Sequence, residues 1–329
     1  MSKEEKAIHG GLSVFEPFQA LSEHGFQHAR VNNKMYPPFI DPAILKELQT
    51  RWKTDENDIF ISTHQKVGTH LTKKFVSEIL MKGAGYPEDH AMSTGDIGHH
   101  TIPWPEVMAS QYGLEEFFEF IERTKGYPRV WYIHCFIEDL PVAEIHPETR
   151  FINVFRDPKG AAVSQFFFYK SHPLLGVDPA LTMDQFIDYF VKGDMYFGDY
   201  HQHTLNWTKC DDPRIARERL LTLRYEDLVE RKWDAVKLLT RFILGDESAL
   251  SDDVLTGIIE RTDFNKMKQS ITDNPGSFHF NPNTFFRSGT TYDWQEKLSH
   301  EQILRIDEKS RNLWGHESFP NLSETQTLN

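Results

Sequence analysis

The chain has 329 residues, a formal net charge of −13 and a hydrophobic fraction of 39%. This composition is typical of a globular protein with a sizeable core, and the acidic balance argues against a nucleic-acid-binding surface, which needs a basic field. The two cysteines, Cys135 and Cys210, form neither a disulfide framework nor a metal-binding pattern. No apolar run follows the charged N-terminus or reaches the length of a membrane span, so we expect a cytoplasmic protein.

The first third of the chain is expected to hold an irregular arm followed by a strand, a loop and a helix. Residues 1–35 combine glycines with several histidines and predict an arm with little regular structure. A short helix is predicted over 44–52. The run 58–75 starts apolar, continues through a polar loop with Lys66, and then places apolar residues at helical spacing. Such a loop directs backbone N–H groups and a helix N-terminus at one point, which suits an anion. The alternative for Lys66 alone is a solvated lysine.

Three more short apolar runs predict buried strands, over 129–134, 150–156 and 220–224. Residues 83–101 are rich in Gly, Pro, Asp, Ser and His and predict a loop, and residues 102–106 an extended segment. The helices predicted around the strands span 114–123, 158–170, 183–192, 196–209, 233–244, 252–260 and 298–312. Residues 273–291 predict a long loop, a candidate lid, and residues 318–329 a polar tail.

Strands that alternate with helices predict an α/β fold in which a central parallel sheet is flanked by helices on both faces. Ligands in such sheets bind at the carboxyl ends of the strands. Lys66, His134, Arg156 and Tyr225 each stand at a predicted strand end, so we expect them to converge on one edge of the sheet.

A purely structural role is an alternative to a functional role for His134 and Arg156. His134 ends an apolar strand, where a histidine is either a packed core residue or a general base. Arg156, with Ser164 two helical turns later, suits a phosphate monoester, or the arginine pairs with Asp157 or Glu226. The remaining histidines lack Asp, Glu or Cys partners at ligand spacing, so no metal site is expected.

Six segments in this order resemble the cytosolic sulfotransferases, which use 3′-phosphoadenosine 5′-phosphosulfate (PAPS) and release its desulfonated product, PAP. Residues 63–69 (THQKVGT) are similar to the family's Thr-Tyr-Pro-Lys-Ser-Gly-Thr loop, and residues 154–164 closely resemble its 3′-phosphate motif. Residues 128–134, 224–228, 261–267 and 286–294 resemble the segments that carry the base, the adenine contacts and the late phosphate loop. The resemblance covers most of the chain and implies one P-loop-like, three-layer sulfotransferase domain over 1–329.

The resemblance also implies roles for individual residues. His134 is the expected base and Lys66 the cation at the leaving phosphate. Trp104, Phe168 and His172 are expected to line the acceptor pocket. The expected cofactor-binding residues are Lys66, Val67, Gly68, Thr69, His70, Leu71, Arg156, Ser164, Tyr225, Thr262, Phe264, Arg287, Ser288 and Gly289. No metal is needed where Lys66 and a helix N-terminus neutralise the charge.

The chain departs from the family pattern in ways that mark a divergent member. His70 and Leu71 stand where the family has Thr and often Trp, and Tyr132 replaces a lysine two residues before the base. Ser288 replaces another lysine. Residues 295–304 do not match the family's dimer motif, so that mode of dimerisation is not expected.

The acidic balance and the lost lysine favour a polar or cationic small-molecule acceptor, such as the guanidinium alkaloids of secondary metabolism, which include the saxitoxins. Two other functions remain open from the residues: a P-loop-like nucleotide kinase and a non-catalytic nucleotide-binding protein of the same fold. Against the kinase stands the absence of a Walker A motif, and against the binding protein stands the presence of both Lys66 and His134.

Overall fold

The computed structural model describes residue 26 and residues 28–94, 97–98, 101–273 and 286–320. Most of the predicted arm, the central part of the predicted lid and most of the polar tail lie outside these residues. Among the described residues, no helix combines the length and the apolar character needed to span a membrane.

The centre of the fold is a parallel sheet of four strands in the order β4-β3-β5-β6. A separate two-stranded antiparallel sheet precedes it in the chain. The strands are β1 (Ala29–Val31), β2 (Lys34–Tyr36), β3 (Asp58–Thr63), β4 (Arg129–Ile133), β5 (Arg150–Phe155) and β6 (Leu220–Arg224).

Side chains of the parallel strands alternate between two apolar cores, one on each face of the sheet. Ile59 and Ile61 of β3 belong to the larger core, whereas Phe60 between them stacks on Phe151 in the smaller one, at 5.2 Å between ring centroids. A sheet with two buried faces needs helices on both, and β3 is accordingly buried at every position. The predicted three-layer α/β fold is confirmed.

Twelve α-helices lie in the described part of the chain. They are α1 (Pro42–Arg51), α2 (Thr69–Gly83), α3 (Pro105–Tyr112), α4 (Leu114–Arg123), α5 (Pro158–Ser171), α6 (Met183–Lys192), α7 (Tyr200–Thr208), α8 (Tyr225–Glu230), α9 (Lys232–Leu244), α10 (Asp252–Arg261), α11 (Phe264–Asp273) and α12 (His300–Trp314). The four predicted strands and most predicted helices are confirmed to within one or two residues.

The prediction of an irregular arm over 1–35 is wrong at its C-terminal end, where β1 and β2 form a hairpin. Asn32 and Asn33 connect the strands with φ of 47° and 63°. Asparagine tolerates this left-handed conformation, and two such residues form the turn that matches the twist of a two-stranded sheet. The Asn-Asn pair was the available signal.

Two other predicted boundaries are also wrong. The helix predicted from residue 196 starts at Tyr200, because Phe197 has a φ of 65° and Asp199 caps the helix by accepting from the N–H groups of His201 and Gln202. The segment predicted as extended over 102–106 turns helical at Pro105, since proline is well suited to a first helical position. The helices α8 and α11 were not predicted.

Candidate functional site

The loop between β3 and α2 is shaped by two residues with left-handed backbone, Lys66 at φ 64° and Gly68 at φ 113°. Such a loop turns successive N–H groups toward one point. Gly68 is the N-cap of α2, and no side chain of the described residues caps this helix. A Cβ on Gly68 would lie 2.7 Å from Cδ2 of Tyr225, so only glycine fits beneath that ring. The loop therefore offers an open helix N-terminus to an anion.

Arg156 follows β5 and is nearly fully buried, with 5% of its surface exposed. Its guanidinium lies 4.4 Å from the ring centroid of Tyr225, and its Nη2 donates to the carbonyl oxygen of Thr290 at 3.3 Å. Its Nε has no hydrogen-bond partner among the described residues. A Cβ on Gly160 would come within 2.8 Å of that Nε. A buried, unsatisfied guanidinium N–H is costly, and an anionic ligand would remove that cost.

Arg287 approaches the same place from the late loop. It forms an ion pair with Asp293, and its guanidinium lies 4.7 Å from the ring centroid of Phe167. Ser288 donates its hydroxyl to the same carboxylate at 3.1 Å. Asp293 also lies 4.0 Å from Nη2 of Arg156, so one carboxylate faces both arginines.

The cations of this region repel one another. Burial, followed by the positive charges of Arg156 and Arg287, lowers the pKa of Lys66 to about 7. We call Lys66, Gly68, Arg156, Tyr225 and Arg287 the cationic region. In a chain with a net charge of −13, this clustering of positive charge favours an anionic ligand.

His134 follows β4 and lies against the end of β3. Its Nδ1 is 2.8 Å from the carbonyl oxygen of Thr63, which can only accept, so Nδ1 carries the proton and Nε2 is free of it. Burial lowers the pKa of His134 to about 4, with Lys73 and Lys66 acting in the same direction and the bond to Thr63 opposing them. The imidazole is therefore neutral near pH 7 and can accept a proton at Nε2.

A row of rings leads from His134 to Lys66. Trp104 lies edge-on to His134 at 4.9 Å between ring centroids, and Phe39 follows at 5.9 Å from Trp104. His172 stacks on Phe39 at 6.3 Å and meets Phe168 at 5.1 Å. The ammonium of Lys66 lies 4.8 Å from the centroid of Phe168. We call these rings (Trp104, Phe39, His172 and Phe168) together with His134 the aromatic region. It joins the expected base to the expected cation.

Three other predicted cofactor residues, Gly289, Ser164 and Thr262, lie on the late loop, on α5 and at the end of α10. Gly289 has a φ of 68°, and a Cβ there would lie 2.6 Å from the ring of Phe264. Ser164 is half-buried on α5, one turn beyond Gly160 and thus on the helix face that meets Arg156. Thr262 is buried, and its hydroxyl donates to the carbonyl oxygen of Ile259 at 2.9 Å, which leaves the oxygen lone pairs for a ligand.

Four predicted residues of the first loop and the start of α2 differ in how far their side chains are buried. The side chain of Val67 is fully buried in the larger core, so only its backbone can meet a ligand. Leu71 is half-buried and packs against the same core. Thr69 donates or accepts at 2.8 Å with the hydroxyl of Thr63, which ties the start of α2 to the end of β3. His70 is half-buried at the first turn of α2.

The structure also brings in residues that the sequence did not assign to the site. Phe39 completes the row of rings, and Phe197 lies 5.4 Å from His134 between ring centroids. Asp293 is the counter-ion of both arginines. Lys73 is almost fully buried on α2, with 1% of its surface exposed. Its signal was a lysine on the same helix face as Thr69 and Val76, both of which are buried.

The described residues contain no group of three or more His, Cys, Asp or Glu side chains that could hold a metal ion.

Comparisons of this chain with a family model and with known proteins all match sulfotransferases. A model of the sulfotransferase domain matches residues 56–321. Sulfotransferase 2B1 of Rattus norvegicus is 27% identical over 285 residues, which cover 85% of this chain and 77% of the rat protein. Sulfotransferase 6B1 of Danio rerio is 29% identical over 182 residues, which cover 55% of this chain and 57% of that protein, less than two thirds of its length.

A solved structure agrees with the described fold. The crystal structure of mouse sulfotransferase SULT7A1 complexed with PAP superimposes with a TM-score of 0.65 at 23% identity, covering 88% of this chain and 95% of that one. At this identity the likeness concerns the fold.

Proposed function

The chain belongs to the sulfotransferase family, and from this premise we propose that it transfers the sulfuryl group of PAPS to a hydroxyl or amine of a small-molecule acceptor. His134 is the base in this proposal, and Lys66 stabilises the leaving phosphate. The observation that supports it is the row of rings from His134 to Lys66, which has a neutral imidazole at one end of an apolar wall and a half-buried ammonium at the other.

The residues present fit PAPS on two structural grounds. The buried Nε of Arg156 lacks a partner within the described residues, and a terminal phosphate would supply one. The N-terminus of α2, which begins after Gly68 and is capped by no side chain of the described residues, would hold a second anionic group beside Lys66. Arg156, Ser164 and Arg287 would then hold the 3′-phosphate.

With the two anionic groups of PAPS bound in this way, the other cofactor contacts can be assigned. The loop from Lys66 to His70 would hold the 5′-phosphosulfate through its backbone N–H groups. Tyr225, Thr262 and Phe264 would hold the adenine, with Ser288 and Gly289 closing over the phosphate. Phe264 takes the stacking role because Leu71 offers no aromatic ring.

PAPS supplies an activated sulfuryl group whose bond to a phosphate oxygen is readily broken. Nε2 of His134 accepts the proton from the acceptor's hydroxyl or amine, and the electron pair freed on that atom forms the new bond to sulfur. The electron pair of the broken bond stays on the phosphate oxygen, where Lys66 and the N-terminus of α2 neutralise the added charge. The transfer thus depends on positioning and charge neutralisation by this chain's residues.

The acceptor is bounded by the aromatic region. Trp104, Phe168 and His172 offer flat apolar surfaces, which suit a planar or alicyclic small molecule and also attract a cation through the ring faces. An alkaloid of secondary metabolism is one acceptor of this kind.

A two-stage experiment tests the proposal. Thermal unfolding is measured with PAP and, separately, with ATP and magnesium. Stabilisation by PAP alone supports the sulfotransferase, whereas stabilisation by ATP with phosphate transfer would favour a kinase. The purified chain is then incubated with ³⁵S-labelled PAPS and a panel of phenols, alcohols, amines and guanidinium alkaloids. Labelled product is expected with at least one acceptor. PAP binding without transfer to any of them, in wild-type protein with intact His134 and Lys66, would support a non-catalytic binding protein.

A further inference from the structure

Lys73 is a lysine in a place where lysines are rare. It lies on α2, one turn after Thr69, and only 1% of its surface is exposed. Burying an ammonium is costly unless its surroundings stabilise the charge. Lys74, its neighbour in sequence, instead pairs with Glu78 at 2.8 Å. The two lysines therefore have different environments on the same helix.

The ammonium of Lys73 lies 4.3 Å from the ring centroid of Tyr132 on β4. This is within the range of a cation–π interaction, which gains strength when the pair is desolvated. The ring of Tyr132 lies 5.7 Å from the ring of His134. The charge of Lys73 is thus held beside the proposed base by a contact between α2 and β4.

We propose that Lys73 is a positioning residue for the transfer, supplying from α2 the positive charge beside His134 that Tyr132 cannot supply from β4. The proposal rests on the sulfuryl transfer proposed above and adds a residue to it. Tyr132 occupies the position where the resembling family has lysine, and Lys73 reaches the same neighbourhood from a different element.

The chemical role follows from where charge appears. When His134 accepts the proton, the acceptor oxygen gains electron density before its bond to sulfur is complete. An ammonium fixed beside the imidazole, where Tyr132 holds it, would stabilise this charge from a distance. The same ammonium opposes the positive charge that the imidazole gains on protonation, so it adds to burial in holding the pKa of His134 below its usual value.

This placement also bears on the acceptor. The absence of a lysine at Tyr132 was one reason to expect a cationic acceptor. Since Lys73 restores a positive charge near His134, that reason no longer applies, and a neutral hydroxyl or phenol at the reacting end fits the region better. A cationic group on the acceptor would have to lie away from Lys73.

His134 is surrounded by titratable groups from several elements, and Lys73 must be distinguished from them. Burial lowers the pKa of His64 to about 3 and lowers that of His203 well below its usual value, so both imidazoles are neutral near pH 7. Burial raises the pKa of Glu106 to about 8, which leaves this carboxyl largely protonated there. The groups that face His134 or its strand are Lys66 and His64 from the first loop, Lys73 from α2, Glu106 from α3, Tyr132 from β4 and His203 from α7.

The test measures the ionisation of His134 directly and needs no acceptor. The histidine ring resonances of ¹³C,¹⁵N-labelled protein bound to PAP are followed as the pH is lowered, and His134 is assigned from a His134→Asn variant. Lys73→Met is expected to raise the pKa of His134 by about one pH unit, because a positive charge that lowers this pKa is removed. Lys73→Arg keeps the charge and should leave the pKa near the wild-type value. Lys74→Met is the matched control and should also leave it unchanged.

An unchanged titration of His134 in folded Lys73→Met would overturn the proposal, as would an equal shift in Lys74→Met. If Lys73→Met does not fold, Lys73→Gln gives the same comparison with a polar side chain of similar length. PAP binding is measured on each sample. A wild-type chain that fails to bind PAP would contradict the proposed function, while the His134 titration in the unliganded protein would still decide the role of Lys73.

Discussion

The cationic region and the aromatic region lie at the same edge of the sheet, yet burial affects their function in opposite ways. Burial lowers the pKa of Lys66 to about 7 and that of His134 to about 4. Lys66 needs its charge to neutralise a phosphate, so its burial among cations is unfavourable until an anion arrives. His134 must be neutral to accept a proton, so its burial prepares it for catalysis. Burial therefore makes the charge of the cationic region depend on a bound ligand. In the aromatic region, the same effect leaves His134 neutral before any ligand binds.

Because of this difference, substitutions should separate the contribution of each region to PAP binding from its contribution to turnover. Changes in the cationic region should alter both PAP binding and turnover. Changes in the aromatic region should alter turnover or acceptor affinity while leaving PAP binding intact.

The largest effect is expected from His134→Ala. Loss of the base should reduce kcat about 10²–10⁴-fold, measured with ³⁵S-labelled PAPS and whichever acceptor the panel identifies. The dissociation constant for PAP, from calorimetry, should stay near the wild-type value because His134 lies outside the cationic region. His172→Ala is the control from the same row of rings and should mainly raise the acceptor KM. A fully active His134→Ala would remove His134 from the role of base.

Lys66→Ala is expected to reduce kcat about 10²–10³-fold, comparable with the loss of one transition-state donor elsewhere. Unlike His134→Ala, it should also weaken PAP, because it removes a cation from the anion site. Lys74→Ala on α2 is the control and should change neither quantity. If Lys66→Ala weakens PAP but keeps kcat at saturating PAPS, Lys66 binds the ground state only.

The affinity for PAP should depend on pH through Lys66. With a pKa of about 7 in the unliganded chain, Lys66 loses its proton as the pH rises, and PAP must then bind with proton uptake. The association constant should therefore fall by up to about tenfold per pH unit above pH 7. Calorimetry in buffers of different ionisation enthalpy measures this uptake directly. Lys66→Met should bind PAP weakly and without this pH dependence; persistence of the dependence in that variant would assign it to another group.

The smallest effect is expected from Gly289→Ala. Its Cβ would lie 2.6 Å from the ring of Phe264, and its backbone is left-handed at φ 68°. Displacing Phe264 should weaken PAP about tenfold, in line with a strain of about 1–3 kcal/mol. Gly245→Ala is the control, since Gly245 has a similar φ of 84° and no atom within 4 Å of its added Cβ. It should lower the melting temperature slightly and leave PAP affinity unchanged, whereas equal losses in both variants would point to backbone strain alone.

Much of the fold was predictable because its signals are local. The runs that became β3, β4, β5 and β6 each have three or four apolar residues within five or six positions, and their alternation with helical periods specifies a parallel sheet. The hairpin of β1 and β2 was missed because its strands have three residues each. The start of α7 was misplaced because Phe197 adopts a left-handed conformation that its sequence does not signal.

The candidate site was predictable in part. Lys66, His134, Arg156 and Tyr225 were found because each follows a strand, and parallel strands end at one edge. Phe39 and Lys73 were missed because they come from a segment before β3 and from within α2. Neither stands at a strand end, and only the packing of distant elements brings them to the site.

The sequence by itself determined the four strands of the parallel sheet and most helices between them, the family and the residue types at the strand ends. Periodicity and strand-end position are properties of neighbouring residues, so they can be identified from the sequence alone. The tertiary structure alone decided which charges are buried together, which nitrogen of His134 carries the proton, and that Lys73 lies over Tyr132. Those outcomes depend on distances and burial among residues far apart in the chain, and these are fixed only when the helices pack on the sheet.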